Sequence, residues 1–180
     1  EECSNNKWLL NLDADEYLSQ EISDEIRNLF KDNPKDHFYS MKVVPIYPNW
    51  EKPRLFSAHH LCVRLYNIDY GRFSDSKVHD SVETNYQEVI ALKNPVFHKS
   101  VRSFRHLITK EDSYIKMQAS TLEKTNKLIL FFRLLTEFPL AFIKYYFIRR
   151  HFTGFITGLF TALILAYFRW KRIILFLKTK

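Results

Sequence analysis

The sequence predicts an α/β fold on three observations. Apolar runs rich in β-branched and aromatic residues recur through the first hundred positions: WLLNL at 8–12, HFYSMKVVPIY at 37–47, LCVRLYNI at 61–68 and VIALKNPVFH at 89–98. Between the first two lies SQEISDEIRNLFKDN, where Ile22, Ile26, Leu29 and Phe30 recur at the three- and four-residue spacing of an amphipathic helix. Beyond Ser103 the chain reads as helix throughout, with proline and glycine scarce. At 180 residues it is about one domain's worth and can bury a core of its own.

The run at 8–12 has the composition of a fully buried strand, and it leads straight into three carboxylates, Asp13, Asp15 and Glu16. If the backbone stays extended there, Asp13 and Asp15 face one side while Ala14 and Glu16 face the other. Two carboxylates side by side repel unless a cation sits between them. Oxygen ligands of this kind suit Mg²⁺ or Mn²⁺, which take one or two carboxylates together with substrate phosphates and water. The pattern therefore points to a metal-diphosphate site at the C-terminal end of a strand, where open α/β sheets bind ligands. An acidic turn leading into the next helix fits the same residues, because aspartate populates turns freely. A haloacid-dehalogenase-type phosphatase also places Asp-x-Asp after an apolar strand, but Glu16-Tyr17 stand here where that pattern needs Gly-Thr.

Ser19 is placed to cap the helix that follows, and Asn33-Pro34 ends it. The strand at 37–47 is expected to break near Pro45. PNWEKPRLFSAHH is then a loop over the ligand-binding side, with His59 and His60 solvated. Residues 61–68 supply a strand carrying Arg64, and 69–71 its closing turn. In GRFSDSKVHDSVE, the His79 imidazole can complete the coordination of a cation held by Asp13 or Asp15, and the Asp80 carboxylate can accept a proton from a substrate hydroxyl. A polar pair at a strand end is the plainer account of the same two residues. The last strand ends in His98. Glu16, Arg64, His98 and, further on, Lys110 are the candidate substrate contacts. Cys3 and Cys62 form neither a disulfide framework nor a metal spacing, which fits reduced thiols in a cytosolic setting. The acidic, polar start does not read as a signal peptide.

Charge divides the chain. Residues 1–100 hold 12 Lys and Arg against 16 Asp and Glu, whereas residues 101–180 hold 15 against 4. The basic part is also dense in Phe, Leu and Ile, a combination that fits an anionic membrane surface better than nucleic acid. SFRHLITKEDSYIKMQASTLEKTNKL, after Ser103, reads as a polar connecting helix in which Lys110 and Tyr114 share a face. In the tail beyond it, residues 152–168 are 17 positions without charge, at the lower limit for a membrane span. Gly154 and Gly158, with Thr161 and Ala162, make a small-residue face for close packing. Basic clusters flank the uncharged stretch on both sides, which does not match the positive-inside bias of a simple span. A helical hairpin lying in or shallowly entering one leaflet is expected, with Trp170 at headgroup depth.

WLLNLDADE, VRLYN, GRFSDSKVHDSVE, FHKSVRSFRHLITKEDSYIKMQA and FIKYYFIRRHFTGFITGLFTALILAYFRWKRI, in that order, resemble the bacterial family 2 glycosyltransferases of the lipopolysaccharide-core type, the WaaE/KdtX-like group. The similarity runs from Trp8 through nearly the whole chain. It implies the C-terminal part of a GT-A (Rossmann-like) domain over 1–102, a connecting helix over 103–127 and a membrane-associating helical tail over 128–180. The nucleotide-binding half is expected upstream, and this part alone is expected to be inactive. The resemblance further implies a nucleotide-sugar donor, a divalent cation (Mg²⁺ or Mn²⁺), inversion at the anomeric carbon, and a lipid-linked saccharide acceptor at the cytoplasmic face of the inner membrane. Asp13 and Asp15 look like the DxD pair, with Asp15 the direct ligand, and His79-Asp80 fall where the family commonly has His-Glu. The shorter Asp80 draws its carboxylate back by about 1.5 Å relative to glutamate. Capsule, O-antigen and glycoprotein precursors are alternative acceptors, and a non-catalytic membrane adaptor is the alternative from another class.

Overall fold

The apolar runs of the first hundred residues pair into one five-stranded sheet. The computed structural model describes residues 1, 4–74, 81–120 and 127–178, and divides into two units: Glu1–Ile46 with Ala58–Ser100, and Tyr47–Ser57 with Val101–Lys180. In the first unit the strands are β1 (Trp8–Leu10), β2 (Glu16–Leu18), β3 (Phe38–Pro45), β4 (His60–Asn67), β5 (Arg72–Phe73), β6 (Val82–Glu83) and β7 (Ile90–His98). The sheet order is β1-β4-β3-β7-β2, with β3 and β7 parallel and the other pairs antiparallel; β5 and β6 form a separate two-stranded antiparallel pair. Together with the helices this is the α/β class that the sequence predicts, followed by the expected helical tail.

β3 lies at the centre, and its alternation sorts the core. Tyr39 and Met41 face α1 (Gln20–Lys31), where Ile22 packs with Leu65, Leu92 and Val96; Phe38 faces the opposite side, with Tyr66 and Val82. The Ser19 hydroxyl accepts the Ile22 N–H at 3.3 Å, the cap expected from the sequence. Two bulges interrupt the ladder. Opposite Tyr39 and Ser40, β4 places Leu65 and Val63, so Arg64 is an extra residue between them. Opposite Met41, β7 runs from Ala91 to Pro95, and this longer bulge takes Lys93 and Asn94 out of the ladder. Glu25 of α1 accepts both of their backbone N–H groups, at 2.8 and 3.0 Å.

The first run departs from expectation. β1 is a three-residue edge strand paired with β4 rather than a fully buried strand, and Leu10 is 40% exposed. Asn11 extends the pairing by one in-register bond, donating its N–H to the Arg64 carbonyl at 2.8 Å, and the chain then crosses toward β2, at the other end of the sheet order. Four strand spacings amount to about 19 Å, and six residues reach at most about 21 Å when fully extended. A turn consumes part of that length, so the sheet must curl for β2 to be reached.

In the second unit α2 (Phe104–Ser120), α3 (Lys127–Ile143) and α4 (Phe155–Lys178) form the helical tail, with α3 and α4 packed as the expected hairpin. A π-helical turn (Lys144–Ile148) and a 3-10 turn (His151–Gly154) join them. The small-residue face is used, with its two glycines packed against Tyr47 and the His151 turn rather than against another helix. A Cβ on Gly154 would strike the Tyr47 ring, and one on Gly158 the His151 carbonyl. Arg54 donates to the carbonyls of Arg149 and Arg150 at 2.9 and 3.2 Å, and the Tyr47 hydroxyl bonds His151 Nδ1 at 2.5 Å. Trp170, expected at headgroup depth, donates its indole N–H to the Leu134 carbonyl at 2.9 Å and so ties α4 to α3.

Burial, with the Arg54 and Arg149 cations nearby, pushes the His151 imidazole down from 6.5 to about 4. Protons therefore bind the unfolded chain more readily, and the stability that neutral His151 retains above pH 6.5 is lost as pH falls toward 4. In thermal unfolding the midpoint should drop across that window in the wild type and drop less in His151→Gln; equal pH profiles for the two would exclude this linkage.

Candidate functional site

The residues singled out beside the first strand converge with the ends of three others. β3 ends at Pro45 and β7 at His98, while β2 begins at Glu16, and the register pairs His98 with both Glu16 and Pro45. Residues 13–16 cross this end as a turn, with the Glu16 N–H donating to the Asp13 carbonyl at 2.9 Å. The extended backbone expected there is thus absent, and with it the rule that sends Glu16 away from Asp13. Both side chains instead meet one guanidinium: Arg64 Nη2 donates to Asp13 Oδ2 at 2.8 Å and to Glu16 Oε1.

These partners differ in environment. The side chains of Glu16 and Arg64 are 1% and 9% exposed, whereas that of Asp13 is 58% exposed. A carboxylate as deep as Glu16 needs a cation, and the bulge at Arg64 aims one at it. Burial works to lower the Arg64 pKa, but hydrogen bonding and charge from Asp13 and Glu16 outweigh it and hold the guanidinium above its ordinary value. Glu16 also accepts the Asp13 N–H at 3.3 Å, closing the turn on itself. Burial raises the thiol pKa of Cys62, a free cysteine near this cluster.

Asp15 takes a different partner. Its Oδ2 lies 3.2 Å from His98 Nε2, and its carbonyl accepts the Lys99 N–H at 2.8 Å. Among the described residues no three His, Cys, Asp or Glu side chains gather as a ready metal cage. The Asp15–His98 pair nevertheless offers a carboxylate and an imidazole at one point; the carboxylate suits Mg²⁺ or Mn²⁺ when phosphates and water fill the remaining positions, and the imidazole suits the transition metal Mn²⁺ of the two. His79 and Asp80 lie outside the described residues; the chain enters and leaves their segment at Ser74 and Ser81, joined by a 2.9 Å backbone hydrogen bond. Lys110 lies on α2, in the second unit.

The structure thus brings together Asp13, Asp15, Glu16, Arg64 and His98 from positions up to 85 apart in sequence. Two relations escape sequence reasoning: the double grip of Arg64, and the pairing of Asp15 with His98. Only the first left a signal, an arginine inside the otherwise apolar LCVRLYN, which needs a buried acid.

Comparison with known proteins adds a direction. The chain is 36% identical over 178 residues to an uncharacterized glycosyltransferase of Rickettsia conorii, covering 93% of this chain and 63% of that protein. Uncharacterized glycosyltransferases of Rickettsia felis and Rickettsia prowazekii match at the same identity, with 63% and 61% of their lengths covered. The chain therefore spans somewhat under two thirds of the relatives it matches. No family model matches it.

Arg64→Met would strand the Glu16 carboxylate in the interior and should lower stability by about 3 kcal/mol in urea unfolding. Adding Glu16→Gln should restore part of that loss; strictly additive losses in the double variant would contradict a coupled pair.

Proposed function

We propose that this chain carries part of the catalytic domain of an inverting glycosyltransferase of the family 2 type, which moves a sugar from a nucleotide-sugar donor to a lipid-linked glycan, with lipopolysaccharide core as the expected acceptor. The observation that supports this most is the meeting of Asp15 with His98 at strand ends, beside a turn that Arg64 locks through Asp13 and Glu16. The glycosyltransferase names of the rickettsial relatives point the same way. A Mg²⁺ or Mn²⁺ ion bound there supplies Lewis-acid stabilisation of the negative charge that develops on a departing nucleoside diphosphate.

Each candidate site residue has a part in this proposal. Asp15 and His98 hold the ion, and Asp13 faces the same end of the sheet while tethered to Arg64. Glu16 and Arg64 keep the turn from moving, so that the Asp15 carboxylate stays within reach. Asp80 removes the proton of the attacking acceptor hydroxyl, and His79 contacts ion or phosphate. Lys110 is assigned to the acceptor.

The tail supports a membrane location. Phe131, Phe132 and Leu135 of α3, Ile148 in the joining turn, and Phe155 and Ile156 of α4 are each more than half exposed, in a region of 15 basic against 4 acidic residues. An apolar surface of this extent in so cationic a setting fits the headgroup and acyl boundary of an anionic leaflet. Among the described residues one helical stretch, His151–Lys178, is long and apolar enough to cross a membrane. The uncharged part of α4, residues 155–168, covers only about 21 Å at helical rise, less than the roughly 30 Å hydrocarbon core. The hairpin accordingly lies in the cytoplasmic face of the bacterial inner membrane as a peripheral or monotopic element.

In the full-length protein, Asp15→Ala should lower Mn²⁺-dependent sugar transfer by about a hundredfold or more; undiminished transfer at saturating Mn²⁺ would remove Asp15 from the site. Deleting residues 128–180 should move the protein from the membrane pellet to the supernatant, and continued sedimentation would refute anchoring by the tail.

A further inference from the structure

The loop between β3 and β4 belongs with the helical tail. Tyr47–Ser57 interrupts the sheet strands in sequence, yet it groups with Val101–Lys180 in the second unit. Arg54 fastens it there. Its buried guanidinium donates to the carbonyls of Arg149, Arg150 and Phe56 at 2.9, 3.2 and 3.3 Å, and the Thr153 hydroxyl lies 2.8 Å from the carbonyl oxygens of Leu55 and Arg150 alike. The loop is thus tied at several points to the turns that join α3 to α4.

What this fastening displays is apolar. Leu55 and Phe56 are 73% and 67% exposed although their carbonyls are held, and the joining turns and the start of α4 add exposed Phe147, Ile148, Phe152 and Phe155. Three bulky residues here take positive φ: Phe56 at 54°, Arg150 at 58° and Phe155 at 49°. Such backbone is costly for side chains of this size, and neither Phe56 nor Phe155 recovers the cost by burial. In water alone asparagine would serve better at Phe56, because it tolerates left-handed backbone and needs no cover.

Charge accompanies the apolar surface. Across residues 47–57 and 144–156 the cations are Lys52, Arg54, Lys144, Arg149 and Arg150, against the single acid Glu51. All of these cations except Arg54 are exposed. The Arg150 guanidinium lies over the Phe56 ring, 5.1 Å from its centroid, so that cation and aromatic are presented together. Long cationic side chains beside apolar ones can reach headgroup phosphates while their neighbours enter the acyl region.

We infer that the Leu55-Phe56 loop and the turns joining α3 to α4 form one wedge that enters the interface of an anionic bilayer, with Leu55, Phe56 and Phe155 at the acyl boundary and Arg149 and Arg150 on lipid phosphates. The inference rests on the membrane location proposed above and deepens it. What it adds is a contact from outside the tail, contributed by the loop between β3 and β4. An apolar protein surface would leave the cations unanswered, whereas an anionic leaflet meets both properties at once.

Flotation of the full-length protein with phosphatidylcholine vesicles, with and without phosphatidylglycerol, tests this. The wild type should float with the anionic vesicles. Leu55→Ser combined with Phe56→Asn should weaken that association about tenfold. Tyr86→Asn, the same kind of change at an exposed aromatic of the first unit with φ 63°, should leave it within about twofold. Because asparagine suits positive φ, Phe56→Asn alone should keep the thermal midpoint at or above that of the wild type, which separates lost docking from lost folding. Arg149→Gln with Arg150→Asn should weaken binding to the anionic vesicles about tenfold and remove most of their advantage over neutral ones. Equal flotation of the Leu55-Phe56 double variant and Tyr86→Asn would overturn the wedge while leaving the tail's anchoring intact, and a protein segment seated on Leu55 and Phe56 would give that result. Undiminished binding of the arginine double variant would overturn the phosphate contact, and a wild type that fails to float would overturn the membrane location and this inference with it.

Discussion

The Arg64 guanidinium is the constraint on which the first unit depends. It is nearly buried, sits on a bulge in an otherwise apolar strand, and answers two carboxylates at once. Taking a charge that deep is tolerable only with its counter-charge beside it, and the counter-charge comes from the turn that links opposite ends of the sheet. The ion pair therefore decides where residues 13–16 run across the strand ends. Asp15 consequently sits beside His98, where the register of β2 on β7 delivers the histidine. Core packing of Ile22, Met41 and Val96 supplies the bulk of the hydrophobic burial; the ion pair supplies the position of the acidic turn.

Much of this unit was legible in the sequence. α1 shows its apolar spacing and its Ser19 cap, and β4 and β7 occupy the runs that their β-branched and aromatic content predicts. These features depend on local periodicity, which a sequence displays directly. The misreadings involve partners distant in the chain. WLLNL has the composition of a buried strand, yet β1 is a short edge strand on β4, and past Asn11 the chain crosses toward β2. The period-two rule sets Glu16 apart from Asp13, yet a turn swings both onto one cation. Nothing local announces either event, because each involves partners on β4 some fifty positions away.

The second unit poses a different problem of charge. Its cations greatly outnumber its acids, and two of those acids act as junctions: Glu137, held by Arg133 of its own helix, joins α3 to α4 through Arg169, and Asp112 joins α2 to α4 through Lys171. The small-residue face was visible in the sequence, but its use by Tyr47 and the His151 turn was not, since Tyr47 lies about a hundred residues away. With Glu137 and Asp112 committed to these pairs, this unit shows solvent aromatic side chains and excess positive charge. That pairing of properties underlies its proposed membrane location.

The central claim is that the Asp15–His98 pair holds the divalent cation on which transfer depends. Its most direct measurement is the electron paramagnetic resonance signal of free Mn²⁺ titrated against the full-length protein in the presence of a nucleoside diphosphate. The account predicts that the wild type withdraws Mn²⁺ from solution and that Asp15→Asn, with Arg64 and Glu16 intact, fails to do so. Equal withdrawal by the two proteins would contradict it.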